Sequence, residues 1–266
     1  MINVTNLTKP ILKIGTHDGT FHTDDVLAVS LLRVFYDSTH EVVVLRTRDQ
    51  SILDTCDILV DVGRRYDGVK YFDHHQDSSL KCSVALVWKA LAEKDFPFEF
   101  EYVNRFVLDA VSDIDTNYDN VESLRGPMDN YYNITGLIGD MNYLPSNGFD
   151  SAVQIGMLFW KAILYKCKQL IVERYVISDG IRDDKNNFTL WLSEGMNIKP
   201  HLELLEQKGI RYVVHPHYNP AKYCLKTINS AKYPLPDFPT VEFFHSGRFL
   251  AIFSNITDTK YADQLL

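Results

Sequence analysis

Residues able to hold a metal ion recur in four short segments of the chain. The first runs Thr16-His17-Asp18-Gly19-Thr20-Phe21-His22-Thr23-Asp24-Asp25 and places His17, His22, Asp24 and Asp25 within nine residues. Imidazole and carboxylate ligands suit hard or borderline divalent ions such as Mn²⁺, Mg²⁺ or Fe²⁺. The lack of cysteine there disfavours a structural zinc site. The bland alternative is a polar strand-to-helix loop with Asp24 or Asp25 as the helix cap. In the second segment, Leu59-Val60-Asp61-Val62-Gly63, an acid closes an apolar run. Such an acid is costly to bury without a partner, which either a cation or a set of loop N–H groups supplies. The third segment is Tyr71-Phe72-Asp73-His74-His75-Gln76. An Asp beside a His can orient an imidazole ligand, and His75 either ligates or contacts phosphate. The fourth is Asp113-Ile114-Asp115-Thr116-Asn117, in which Asp115 is a ligand or a helix cap. Six candidate ligands result, His17, His22, Asp24, Asp61, His74 and Asp115, with Asp25, Asp73 and His75 as candidate catalytic neighbours. Six ligands suffice for two ions sharing one carboxylate. Two ions about 3.5–4 Å apart activate water and clamp a phosphoryl group during in-line displacement, so the expected activity is a metal-dependent phosphoester hydrolysis.

The elements that must position these residues are readable from the apolar pattern. Ile11 to Ile14, Glu41 to Leu45, Asp57 to Val62 and Val69 to Phe72 are strand-like runs. Between them lie helix-like stretches: Val26 to Tyr36 behind an expected cap at Asp24 or Asp25, a short one over Ser51 to Cys56, and then Ser83 to Leu91 and Phe106 to Val111. Continuous apolar strands alternating with helices predict a parallel sheet covered by helices on both faces. In such sheets ligands bind at the carboxyl ends of the strands, which is where His17, Asp61 and the Asp73-His74-His75 group fall. Residues 1–148 form this expected α/β domain. Residues 149–182 read as a long connecting helix, with apolar Val153, Met157, Trp160, Leu164, Ile171 and Tyr175. Residues 183–266, with short strands and a dense run of prolines, predict a smaller C-terminal α+β domain.

The rest of the sequence narrows the function class. The formal net charge of −8 argues against gripping nucleic acid by bulk charge, although two bound divalent ions would reverse the sign locally. The 45% hydrophobic content allows an ordinary core. No apolar run reaches the ~18 residues of a membrane span. The N-terminus lacks the basic start and apolar block of a secretory signal and the Arg-rich amphipath of a transit peptide, so a soluble, intracellular and by default cytoplasmic protein is expected. Cys56, Cys82, Cys167 and Cys224 form no C-x-x-C pair and read as buried free thiols. Neither a phosphate-binding G-x-x-x-x-G-K-[ST] loop, a G-x-G-x-x-G fingerprint nor a G-x-S-x-G elbow occurs.

In order along the chain, THDGTFHTDD, VLRTRD, LVDVG, YFDHHQ and the Asp113-to-Asn117 segment resemble the MYG exonuclease family, a branch of the DHH phosphoesterase superfamily. The resemblance is strongest over residues 11 to 118. It implies a DHH-type α/β domain with a two-metal centre facing a smaller C-terminal domain. It also implies 3′–5′ exonuclease action on single-stranded RNA, in the nucleus and mitochondria of eukaryotes. By the same resemblance His17, His22 and Asp61 hold one ion, and Asp24, Asp61, His74 and Asp115 the other, Mn²⁺ before Mg²⁺, while His75 faces substrate phosphate. Arg46 and Arg48 either hold phosphate or pair with nearby acids. This chain departs from the family pattern at Asp25, where Glu is usual, and at Arg64-Arg65, where another Gly often follows. It departs again at Ala251-Ile252, where Gly-Gly is usual. Without Gly-Gly, either His245 or Arg248 becomes a side-chain phosphate contact, or Phe249 to Phe253 is an ordinary core strand. Two further function classes stay open: a small-molecule phosphoesterase acting on pyrophosphate, cyclic dinucleotides or short oligonucleotides, and a non-enzymatic binding protein of the same fold.

Overall fold

A computed structural model of the protein describes residues 9–116, 134–182, 187–238 and 241–254. Asn117 and residues 183–186 of the polar turn lie outside these. The chain divides into two units, Met1–Cys167 and Lys168–Leu266.

The first unit is built on four parallel strands, β1 Ile11–Thr16, β2 Glu41–Arg46, β3 Ile58–Val60 and β4 Tyr71–Phe72, in the order β2-β1-β3-β4. Because all four run the same way, every carboxyl end lies on one edge. The chain order reverses between β1 and β3, the crevice where parallel sheets bind ligands. β4 is shorter than the apolar run suggests. The Asp67 carboxylate accepts hydrogen bonds from the Val69, Lys70 and Tyr71 N–H groups (2.8–2.9 Å), which turns this stretch into a loop.

Side-chain alternation divides the sheet cleanly. Ile14, Val60 and Phe72 enter the main core with α1 (Thr23–Tyr36) and α3 (Ser83–Ala92). Leu45, Leu59 and Tyr71 face the other way, against Leu53 of the four-residue helix α2 (Gln50–Leu53) and Cys56. The expectation of helices on both faces is met unevenly, since the second face carries one turn of helix. Gly15 fits closely there: a Cβ would sit 2.6 Å from Leu59 Cδ2 and push that side chain aside.

Helix α4 (Pro97–Val103) runs through a π-helical turn, Asn104–Leu108, into α5 (Asp109–Thr116). The sequence suggested a helix ending before Asp113. Instead Asp113 and Asp115 lie within α5, so Asp115 is not a cap. After α6 (Ile134–Asp140), α7 spans Gly148–Ser178. Its first half packs Val153, Met157 and Trp160 into the first core, where Trp160 stacks on Trp88 at 6.0 Å and its Nε1–H donates to the Leu27 carbonyl (2.9 Å). Its second half contributes Ile177 to the core of the second unit, which is why the two units divide inside this helix. No helix among the described residues is long and apolar enough to cross a membrane.

The second unit carries β5 Ile181–Arg182, β6 Thr189–Trp191, α8 Leu202–Gln207, β7 Tyr212–Pro216, β8 Tyr223–Thr227, β9 Phe243–Phe244 and β10 Leu250–Phe253. They form one mixed sheet ordered β5-β6-β7-β8-β10-β9. Val213 points to a cluster with Leu205 and Ile198; Tyr212 and Val214 point to another with Leu225 and Phe253. All four cysteines are buried and free.

Candidate metal centre

Three of the four strand ends of the parallel sheet, those of β1, β3 and β4, each deliver one part of the site. β1 ends at Thr16 and His17 follows. The His17 Nδ1–H donates to the Asp18 carbonyl (2.9 Å), since a carbonyl can only accept; this leaves Nε2 turned inward. That nitrogen lies 3.3 Å from Asp25 Oδ2 and 3.3 Å from Asp61 Oδ2. Helix α1 begins one loop later. Its N-cap is His22, not Asp24 or Asp25 as the sequence suggested. Asp25 sits at the third helical position, where its Oδ1 accepts from the His22 N–H (2.9 Å) and the Val26 N–H (2.7 Å). An acid in the first turn meets the positive end of the helix dipole and its free N–H groups, so Asp24 and Asp25 are both drawn inside.

The turn after β3 is conformationally costly. Asp61 has φ 54, Gly63 φ 99 and Arg64 φ 50, all in the left-handed region that a Cβ disfavours. The turn projects Asp61 into the middle of the cluster. Its Oδ2 faces His17, while its Oδ1 lies 3.5 Å from His74 Nε2 and 3.4 Å from His75 Nδ1 and accepts from the Ser83 hydroxyl (3.1 Å). After β4, His74 Nε2 comes within 3.1 Å of Asp115 Oδ2 and 3.7 Å of Asp24 Oδ2. His75 is half exposed, and its Nδ1 is held by Asp73 Oδ1 at 2.8 Å. Asp73 therefore orients His75 and not His74.

All six proposed ligands thus converge. Ligand atoms of His17, His22 and Asp61 lie within 4.8 Å of one another, as do those of Asp61, His74 and His75, and those of His22, Asp24 and Asp115. Asp61 joins the first and second groups, and His22 the first and third. Ser83, at the start of α3, belongs to the site and was missed in the sequence; a lone Ser opening a helix carries no chemical signal by itself.

The electrostatics show what the cluster lacks. Burial pushes the Asp24 carboxyl well above its ordinary value, and Asp61 and Asp115 add to this; burial holds the Asp25 carboxyl at about 7. Burial also acts to raise Asp61, but hydrogen bonds to His17 and His74 outweigh it and leave its carboxyl well below the usual range. The Asp61 hydrogen bond raises His17. For His74, burial acts downward, but Asp115, Asp61 and Asp24 together lift it to about 10. Asp24 Oδ1 and Asp25 Oδ2 are buried without a hydrogen-bond donor. Four inward carboxylates, borrowed protons on the histidines and two unserved oxygens describe a site built for more positive charge than its side chains carry. Divalent cations fit that need, and the oxygen-and-imidazole donor set suits Mn²⁺ or Mg²⁺.

A cleft of about 650 Å³ opens on the cluster, lined by His17, His22, Asp61 and His75 and rimmed by Arg48 and Arg64. The other expected contacts already have protein partners. Arg46 donates to the Gly19 carbonyl (2.6 Å) and lies 4.4 Å over the Phe149 ring. Arg48 donates to the Asp18 carbonyl (2.8 Å) and pairs with its carboxylate. In the second unit, Arg248 turns the chain between β9 and β10, donating to the Leu235 carbonyl (2.8 Å) and pairing with Asp237 (3.2 Å). His245 packs on Phe249 at 4.0 Å. Ala251 and Phe253 are buried in strand β10, which is an ordinary core strand.

Residues 13–96 match the family model MYG1 exonuclease, described as "Uncharacterised protein family (UPF0160)". The chain is 56% identical over 66 residues to a MYG1 protein of Schizosaccharomyces pombe, a match covering 25% of this chain and 20% of that one. It is 49% identical over 67 residues to the MYG1 exonuclease of Homo sapiens, covering 25% and 18%. A MYG1 protein of Chlamydia trachomatis is 39% identical over 107 residues, covering 38% and 37%. The chain thus spans between about a fifth and just over a third of the length of these relatives. Among solved structures, RecJ of Thermus thermophilus in complex with Mg²⁺ aligns over 95% of this chain and 48% of that one, at 13% identity and a TM-score of 0.29, too low to relate the two folds. The likeness to MYG1 proteins over residues 13–96 takes in every candidate ligand of the cluster except Asp115.

Proposed function

We propose that this chain is a metal-dependent phosphodiester hydrolase that acts as a 3′–5′ exonuclease on single-stranded RNA. The observation that carries the reading is Asp61, whose two oxygens face separate imidazole groups while the neighbouring Asp24 Oδ1 is buried with no hydrogen bond. His17, His22 and Asp61 would hold one divalent ion, and Asp24, Asp61, His74 and Asp115 a second, with Mn²⁺ preferred to Mg²⁺. Bound there, such ions supply Lewis acidity toward a phosphoryl group. The chain's own residues do the rest. The Asp18 carbonyl fixes the His17 tautomer, and Ser83 holds Asp61 between the His17 and His74 imidazoles. Asp73 accepts from the His75 Nδ1–H, which leaves the Nε2 of the neutral ring as a proton acceptor at the cleft. The names of the MYG1 exonucleases support a nuclease over other phosphoesterases. An RNA substrate agrees with an intracellular protein of the cytoplasm, nucleus or mitochondria.

Purified protein with Mn²⁺ tests this on RNA labelled at either end, on DNA, on pyrophosphate and on a cyclic dinucleotide. Stepwise loss of nucleotides from the 3′ end of RNA, abolished by chelator, is the expected result. A cleft of this size also suits a small phosphoester. Turnover of pyrophosphate or the cyclic dinucleotide with RNA left intact would replace the nuclease by that second reading. No hydrolysis of any substrate would leave a binding protein.

A further inference from the structure

The cations near the cleft differ in what they are free to do. Arg46 is spent on Gly19 and Phe149, Arg48 on Asp18, and the Arg65 guanidinium lies 4.5 Å over the Tyr71 ring. Arg64 is exposed and lines the cleft beside Gly63 and His75. Among the described residues its guanidinium takes part in no hydrogen bond, ion pair or ring contact, and no carboxylate of the cluster comes within ion-pair distance of it. Its backbone is held at φ 50, which glycine adopts freely and a residue with a Cβ resists. The restraint is visible. The Arg64 N–H donates to Asp73 Oδ2 (2.7 Å), while Asp73 Oδ1 accepts from the His75 N–H (2.9 Å) and binds its Nδ1 (2.8 Å). One buried carboxylate therefore sets both the strained Arg64 backbone and the His75 ring on the rim of one cleft. Backbone strain held at a cleft by a dedicated partner, under a side chain with no other contact, points to a ligand contact.

We propose that Arg64 is a substrate-positioning residue that grips a second phosphate, next to the one received by the acid–imidazole cluster. The planar guanidinium matches phosphate oxygens in a paired geometry, and Arg48, the other arginine lining the cleft, is already paired with Asp18. The site is then selective for substrates carrying at least two phosphates, such as an oligonucleotide, over a lone phosphoester. This deepens the phosphodiesterase reading above and rests on it.

Binding of a fluorescently labelled single-stranded oligoadenylate about ten nucleotides long, measured by anisotropy in Ca²⁺ and in chelator, tests the assignment for wild type, Arg64→Gly and Arg64→Gln. Loss of one charge-assisted phosphate contact should weaken binding about tenfold in both variants. It should also reduce the slope of log affinity against log salt by about 0.7, the contribution of one phosphate contact on a single strand. Arg64→Gly should melt no lower than wild type, because glycine relieves the strain. Arg64→Gln keeps the backbone strain and so decides the matter if the glycine variant does not fold. Either variant binding as tightly as wild type overturns the proposal, as does weaker binding with an unchanged salt slope, or no binding by wild type in either buffer. Hydrolysis of the same oligonucleotide with Mn²⁺ is scored separately. Its absence in wild type removes the hydrolase reading, while the binding data still decide Arg64.

Discussion

The carboxyl edge of the parallel sheet and the mixed sheet of the second unit both bury a histidine, and they treat it in opposite ways. His215, on β7, is 5% exposed; its Nδ1 donates to the Pro216 carbonyl (2.7 Å) and its Nε2 has no partner. Burial lowers it to about 4, and the neighbouring Lys226 and His217 reinforce the effect. Lys226 is also lowered by burial and donates to the Met196 carbonyl (3.1 Å). His74 meets the same desolvation, yet three carboxylates raise it to about 10. A buried histidine is thus no evidence of a metal site. A surplus of carboxylates around it is, because only then does the fold store negative charge that something else must neutralise.

The largest test of this contrast is Asp61→Ala. Removing the carboxylate that faces both imidazole groups should lower hydrolysis by about a thousandfold or more, in keeping with other lost charge-stabilising groups. His215→Gln in the second unit should change it by less than about twofold. Steady-state rates on the same RNA compare the two, and a similar loss in both variants would erase the distinction drawn between the sites.

Next is acid stability. The folded His215 titrates near 4 and an unfolded histidine near 6.5. Between those values the unfolded chain binds the extra proton. Stability of the second unit should therefore fall as pH drops from about 6.5 to about 4, by roughly 3 kcal/mol over the whole window. Hydrogen exchange of the β7 and β8 amides should follow this fall in wild type and lose most of it in His215→Gln. A flat wild-type profile would show that His215 is not held neutral.

The first unit should slope the other way. Asp25 at about 7 and His74 at about 10 both sit above their unfolded values, so the metal-free fold holds more protons than the unfolded chain. The His74 contribution is complete below about pH 6.5 and is lost as pH rises through about 10. Mn²⁺ needs those same groups deprotonated. Saturating Mn²⁺ should raise the melting temperature by about 5 °C or more at pH 8 and by clearly less at pH 6. Scanning calorimetry at both values reads this, and equal shifts would mean that the histidines do not ligate.

The smallest effect belongs to Asp73→Asn, which keeps the shape of the residue but weakens its hold on His75 and on the Arg64 N–H. A loss of about tenfold in turnover with metal content unchanged is expected of a partner that orients another residue. A fall in bound Mn²⁺ would instead make Asp73 a ligand.

Much of the candidate site was legible because parallel-sheet proteins couple two local signals. An apolar run marks a strand, and the polar group that ends it must lie on the shared carboxyl edge. That places His17, Asp61 and the Asp73-His74-His75 group together without any knowledge of packing. Asp115 was recognisable only as an acid near a helix end, since a π-helical turn lets α5 continue to Thr116 and nothing in the local pattern signals it. The identity of the helix cap failed for a related reason. His22 and Asp24 are equally polar, and which of them starts the helix depends on Asp25 reaching back to the His22 N–H.

By itself, then, the sequence determined the types and order of the candidate ligands and the place of His17, Asp61 and His74 after strand ends, because strand and helix periodicity are written in neighbouring residues. Only the tertiary structure decided which charges are spent. Arg46 is consumed by Gly19, 27 residues away, and by Phe149, a hundred residues on; Arg48 is consumed by Asp18. Arg64 is left facing the cleft because Asp73, nine residues away, fixes its backbone at a positive φ. Ion pairs and left-handed turns depend on contacts remote in the chain, and so the arginine that the fold leaves free could not be told in advance from those it occupies.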